Sequence, residues 1–168
     1  MMSNPQEFQN QPPLLGIAYV ALVSAAAVWC VLIVLAPILN SDAMYESFHR
    51  ICHQLDDRSF HLAGRKFAVC ARCTSIYFSF TLALAVLPMV RPLARLDVPQ
   101  RRWLFLATLP MMLDVLLSLL GIHDSSMATR IGTGIVFGSI SVLFVCPIFL
   151  GAVQELHQRH SCSSTSKL

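Results

Sequence analysis

Apolar positions in this chain gather into four long runs instead of alternating with polar ones. The runs cover Leu14–Leu39, Thr74–Val90, Trp103–Gly121 and Ile131–Gly151. Crossing a bilayer takes roughly 20 apolar residues in a helix, and each run approaches or exceeds that length. The first holds 26 residues without a charge. A helix satisfies its own backbone polar groups in hydrocarbon, so the pattern predicts an all-α polytopic membrane protein with four transmembrane helices. Residues 1–13 contain Glu7 but no Lys or Arg. Without a basic lead, and with an apolar run too long for a signal peptide, Leu14–Leu39 reads as a retained span. Pro37 marks its last turn, where a missing N–H ends or kinks a helix.

The connection after the first run has a different period. Ser41 or Asp42 can cap a new helix, and Met44, Phe48, Ile51 and Leu55 then recur at spacings of four, three and four. This is the stripe of a short amphipathic helix at the membrane interface. Its other face carries His49, Cys52, His53 and Asp56. Asp57–Lys66, with Gly64, reads as a turn, and Phe67–Val69 leads into a C-x-x-C at the head of the second span. The organisation is a polar lead (1–13), one four-span membrane domain (14–151) that includes the 40–73 connection, and a polar tail (152–168).

Composition agrees with this reading. Hydrophobic residues make up 55% and charged residues 12% of the chain, where a soluble domain averages about 25% charged. The net charge of +3 is spread over loops and gives no footprint for nucleic acid. The expected partners are the lipid bilayer and another membrane protein or a second copy of the chain. An even number of spans puts both termini on one side. The 12 Lys and Arg divide equally between the two sides, but Arg91, Arg95, Arg101 and Arg102 crowd into one short connection. The positive-inside rule weights such short loops. It places both termini in the cytoplasm of a multi-pass cell-membrane protein, with the 40–73 connection outside.

Chemistry-bearing residues concentrate between Cys52 and Cys73, which holds three of the six cysteines and two of the six histidines. Two thiols separated by two residues at a helix start can share a metal or form a redox pair, and the helix N-terminus favours their thiolates. The candidate ligands are Cys52, Cys70 and Cys73 with His53 or His61, and His49 as a further alternative. Zinc suits a thiolate-rich tetrahedral site; copper and iron are the other candidates. The same cysteines also allow a disulfide, Cys70–Cys73 or Cys52 with either, leaving one thiol over, or free thiols packed at the interface. Arg58, Arg65, Lys66 and Arg72 can meet an anion, a lipid head group or a quinone carbonyl, or simply snorkel at the membrane rim. Arg72, inside C-A-R-C, can also stabilise thiolates, and Tyr77, one turn beyond Cys73, can line the same pocket or anchor at the interface.

Asp114 stands in the third run among leucines and methionines. An ionisable residue there is costly and faces the bundle interior or a water path. Its candidate partners are Arg130, Arg72 and the hydroxyls of Thr108, Ser118 and Thr133; its roles are a cofactor, proton or ion contact, or a hydrogen-bond hub. Pro110 can open the backbone one turn before it. Gly134-x-x-x-Gly138 allows close helix contact in the fourth run. Cys30 and Cys146 read as small buried side chains, and His157, His160 and Cys162 as tail residues.

The combination Cys52-His53-Gln54, Arg58-Ser59-Phe60, Gly64, Cys70-Ala71-Arg72-Cys73-Thr74 and Ile76-Tyr77, followed by Asp114, Arg130, Gly134 and Gly138, resembles the signature of domain-of-unknown-function family 2085, small membrane proteins. The resemblance covers about residues 45–140. Ser75 stands where the family pattern has Gly after C-A-R-C-T, and Val115 and Ser118 stand in neighbourhoods where it has Gly and Gln. The resemblance implies a membrane protein and the same Cys/His set, and no particular reaction. The leading expectation is a metal- or cofactor-binding membrane protein. The alternatives are a membrane thiol–disulfide oxidoreductase using Cys70 and Cys73, a small transporter or ion-coupled carrier centred on Asp114, and an accessory or assembly protein without chemistry of its own.

Overall fold

The structure, a computed structural model, describes residues 12–62, 64–92, 97–122 and 125–165. In chain order its helices are α1 (Pro12–Leu39), α2 (Asp42–His49), α3 (Ala71–Val90), α4 (Arg101–Leu119) and α5 (Met127–Thr165). A 3-10 turn at Asp56–Arg58 and a two-stranded antiparallel hairpin, β1 (His61–Leu62) with β2 (Arg65–Lys66), lie between α2 and α3. Four helices are long and apolar enough to cross a membrane: α1, α3, α4 and α5. The protein is thus a four-span helical membrane protein with a short extra helix, as its hydropathy pattern predicts.

The spans alternate in direction. The end of α1, the start of α3, the end of α4 and the start of α5 therefore meet on one face, and the end of α3 and the start of α4 lie on the other. Exposed apolar residues, among them Phe105, Leu109, Met112 and Leu116 of α4, form the surface that meets lipid. Two buried clusters hold the bundle. One joins Leu15 and Tyr19 of α1, Leu84 and Leu87 of α3, and Val142, Cys146 and Leu150 of α5. The other joins Ile33 and Ala36 of α1 to Phe48, Cys52, Ala68 and Val69, so α2 and the hairpin fold back onto the bundle. Cys30 and Cys146 are buried as expected, Cys30 with its Sγ 3.3 Å from Thr81 Oγ1.

Hydrophobic burial drives little between helices in lipid, so packing decides which of them touch. Here Gly134 and Gly138 bring α5 against α3: a Cβ on Gly134 would sit 2.8 Å from the Arg72 carbonyl oxygen, and one on Gly138 would overlap Ser79 Oγ and the Ile76 carbonyl. Ser75 faces Gly134 and turns its hydroxyl onto the Ala71 carbonyl at 2.8 Å. The two small residues leave room for each other.

Three expectations change. The amphipathic helix is shorter than its stripe: α2 stops at His49, so only Met44 and Phe48 of the four stripe residues lie on it. Phe48 is buried, whereas Ile51 and Leu55 are exposed. Beyond the helix the chain reverses at Gln54, whose φ of 52° is left-handed. The Gln54 side chain then donates from Nε2 to the Tyr45 carbonyl at 2.7 Å, tying the reversal back onto α2. Secondly, helical structure runs on into the polar tail. Helix α5 continues unbroken through Gln154 to Thr165, with Glu155 and Arg159 paired one turn apart. Lastly, Asp114 is not mid-span. It lies five residues before the end of α4, about 7.5 Å along the axis, close to the face where the loops gather.

Candidate functional site

That face holds a thiol cluster. Cys52 sits just past α2, its N–H still bonded to the Phe48 carbonyl at 3.0 Å. Cys70 occupies the N-cap of α3 and Cys73 lies in its first turn. The three sulfurs all lie within 4.8 Å of one another. Cys52 is buried, and Cys70 and Cys73 are half-buried. A tetrahedral ion about 2.3 Å from each thiolate would space the sulfurs roughly 3.8 Å apart, so the set fits a metal of that class.

A three-membered clasp holds Cys52 in place. Lys66 Nζ donates to the Gln54 carbonyl at 2.8 Å, Gln54 Nε2 donates to the Tyr45 carbonyl, and the Tyr45 hydroxyl donates to the Lys66 carbonyl. The reversal after α2 is thereby locked to the hairpin strand that leads into Cys70. The Cys70 N–H donates to Cys52 Sγ at 3.2 Å. Hydrogen bonds from the Cys70 and Cys73 thiols, helped by the Cys70 and Gln54 backbone N–H groups and opposed by burial, hold the Cys52 thiol far below its ordinary pKa.

Beside the sulfurs lies a cavity of about 480 Å³, lined by all three cysteines together with His53, Arg58, Arg72, Arg130 and apolar residues of α4. Behind it is a buried ion network. Arg72 is paired with Asp114, whose Oδ2 also accepts the Ser125 hydroxyl at 2.8 Å. Ser125 Oγ in turn accepts Arg130 Nε at 3.2 Å. The network ties the starts of α3 and α5 to the last turns of α4.

The predicted site residues therefore separate. Cys52, Cys70 and Cys73 converge, and Arg72 reaches both their cavity and Asp114. His53 is exposed on the cavity wall, outside the group of converging ligand atoms. His61 is exposed on β1, its Nε2 3.3 Å from Asp56 Oδ1, and His49 is exposed at the end of α2. Tyr77 packs behind the sulfurs, with its ring edge-to-face on Trp29 at 6.0 Å. Of the hydroxyls named for Asp114, Thr108 bonds the Leu104 carbonyl, Thr133 bonds that of Thr129, and Ser118 lines the cavity. Ser125 was missed. Its signal was the Ser125-Ser126 pair before an apolar run: Ser126 Oγ caps α5 by accepting the Thr129 N–H at 3.2 Å, which leaves Ser125 to turn inward. Gln54 and Lys66 of the clasp were missed as well, and no local signal marks them.

Comparison with known proteins agrees with the membrane fold and with the stretch that carries the site. The chain is 35% identical over 115 residues to an uncharacterized protein of Methanocaldococcus jannaschii, covering 68% of this chain and 74% of that one. It is 31% identical over 94 residues to an uncharacterized protein of Methanothermobacter thermautotrophicus, covering 54% and 80% respectively. No solved structure matches. The family described as "Predicted membrane protein (DUF2085)" matches residues 52–144, which begins at Cys52, takes in Cys70, Cys73, Arg72, Asp114 and both packing glycines, and spans more than half of the chain. The chain belongs to this family of membrane proteins.

Proposed function

We propose that the protein holds one divalent metal ion, zinc foremost, on Cys52, Cys70 and Cys73 at the membrane surface. The convergence of three sulfurs from two separate segments carries this reading. Two of them share one helix turn, as any C-x-x-C does. The third is brought in from 18 residues away by the clasp, which is an arrangement that thiol packing alone does not require. The three cysteines line the cavity together with His53, so His53 or a ligand from outside would complete the set. Three protein ligands and one open position are the pattern of zinc sites that do chemistry, whereas structural sites are closed by four. Asp114, paired with Arg72, serves in this reading as a counter-ion that seats α3 against α4.

Element analysis of the protein purified in detergent tests the reading. One metal per chain is expected, falling to background in a Cys70→Ser, Cys73→Ser variant that still elutes as folded protein. Native protein free of metal overturns it. If mass spectrometry of that metal-free protein finds a Cys70–Cys73 disulfide, the thiol oxidoreductase takes its place. We further propose that the protein lies in the cell membrane with both termini in the cytoplasm and the thiol face outside. A membrane-impermeant maleimide added to intact cells is then expected to label a cysteine placed at exposed His61, and none placed at exposed Gln100. The reverse pattern would invert the topology.

A further inference from the structure

Two arginines, Arg72 half-buried and Arg130 buried, share one carboxylate in this network. Arg72 contacts Asp114 directly, and Arg130 reaches it only through Ser125. Arg130 is 9% exposed, and among the described residues it makes no ion pair. Its Nε is used, while a guanidinium carries five N–H donors. Arg72 also keeps a donor in reserve, because its Nε is buried without a partner. Burying an unbalanced cation is costly, and an unpaired buried donor adds to that cost. Both guanidiniums line the same cavity. A third, Arg58, lines it as well and is partly exposed, with its Nε 3.4 Å from the exposed carboxylate of Asp57. Across the cavity, Val115 and Leu119 of α4 and Ile51 present apolar surface.

We propose that this cavity is a binding site for a phosphate oxyanion, held by the forks of Arg72 and Arg130, with Arg58 at the entrance. Guanidinium donors match tetrahedral oxyanions in charge and geometry, and the anion supplies the negative charge and acceptor atoms that Asp114 alone does not. The volume of about 480 Å³ exceeds what a bare phosphate fills, and the apolar wall suits the first carbons of a phosphate ester. Free phosphate esters and phospholipid head groups share this chemistry. Arg72 stands on α3, Arg130 on α5 and Arg58 on the 3-10 turn, and although the three cysteines line the same cavity, none of them takes part in the Arg72–Asp114–Ser125–Arg130 network.

Two arms of one experiment separate the sources. In nanodiscs of phosphatidylcholine, inorganic phosphate is titrated by calorimetry. In nanodiscs containing phosphatidylglycerol, retained lipid is counted by native mass spectrometry. Saturable phosphate binding that weakens about tenfold or more in Arg130→Gln, as loss of a charge-assisted contact requires, supports a soluble phosphate ligand. Retained phosphatidylglycerol that Arg130→Gln loses, without phosphate binding, supports the head group. Arg130→Lys keeps the charge without the fork and is expected to fall between the two, which keeps the test decisive if the glutamine variant fails to fold. Absence of saturable binding in both arms, or undiminished binding by folded Arg130→Gln and Arg130→Lys, overturns the proposal. Anion binding is read beside metal content on the same samples, and protein that element analysis finds free of metal is expected to bind phosphate as well. Failure of the metal reading would therefore leave this result standing.

Discussion

Replacing Asp114 by leucine is expected to destabilise the bundle by about 3–5 kcal/mol, the cost of stripping a buried charge of its partner. The substitution itself suits a membrane helix and removes no apolar contact. Its cost lies in what it leaves behind: Arg72 loses its carboxylate, Ser125 loses its acceptor, and Arg130 loses the indirect share that Ser125 gave it. Asp114→Asn keeps an acceptor for Ser125 and Arg72 and should cost less. Asp114→Leu combined with Arg72→Leu removes both charges of the direct pair, so the double variant should be more stable than the sum of the two single losses, with a coupling of about 1–3 kcal/mol. Reversible unfolding in mixed micelles measures the four variants, Arg72→Leu alone included, against the wild-type protein. Strict additivity would show that the pair is not coupled in the folded protein.

Gly138→Leu is expected to prevent α3 and α5 from docking at all. Overpacking an ordinary core costs about 1–3 kcal/mol because side chains can shift. Here the new Cβ meets the Ile76 carbonyl as well as Ser79 Oγ, and a backbone carbonyl inside a helix cannot swing aside. The two helices must separate, and in lipid their packing is the main attraction between them. Gly134→Leu should act in the same way, since its Cβ would press on the Arg72 carbonyl at 2.8 Å and so push on the site. Gly132 has open space where a Cβ would stand, making Gly132→Leu the matched control. Size-exclusion profiles in detergent should show monodisperse protein for the Gly132 variant and aggregated or absent protein for the other two. A well-folded Gly138→Leu protein would disprove the close contact.

Hydropathy made the spans legible because hydrocarbon imposes length and apolarity on each helix independently of its neighbours. The head of α3 was legible for a similar reason: the C-x-x-C spacing and the change from polar to apolar both lie within one turn. Whatever depended on a partner elsewhere was not. The stripe from Met44 to Leu55 keeps helical period beyond the helix, because the chain reverses at Gln54, held there by Tyr45 and Lys66 through contacts that local spacing does not encode. Two histidines stand next to three cysteines in the chain, but proximity did not tell where each would lie: the reversal at Gln54 leaves His53 exposed on the cavity wall, and the hairpin turns His61 towards Asp56. Arg72 was one of several cations available to Asp114, and only the approach of α3 to α4 selects it. Gly134 and Gly138 were readable as a contact motif, while the identity of the helix they meet required the fold.

The clasp of Tyr45, Gln54 and Lys66 has a consequence for how a metal would be chosen. Many small metal sites gather their ligands only when the ion arrives, so binding and folding are one event. Here the clasp ties the segment after α2 to the strand that leads into Cys70 through hydrogen bonds to which no ion contributes. Little ordering would remain for the ion to bring about, and helix content should be the same with and without it. Selection would then rest on whether an ion's radius suits a gap of fixed width.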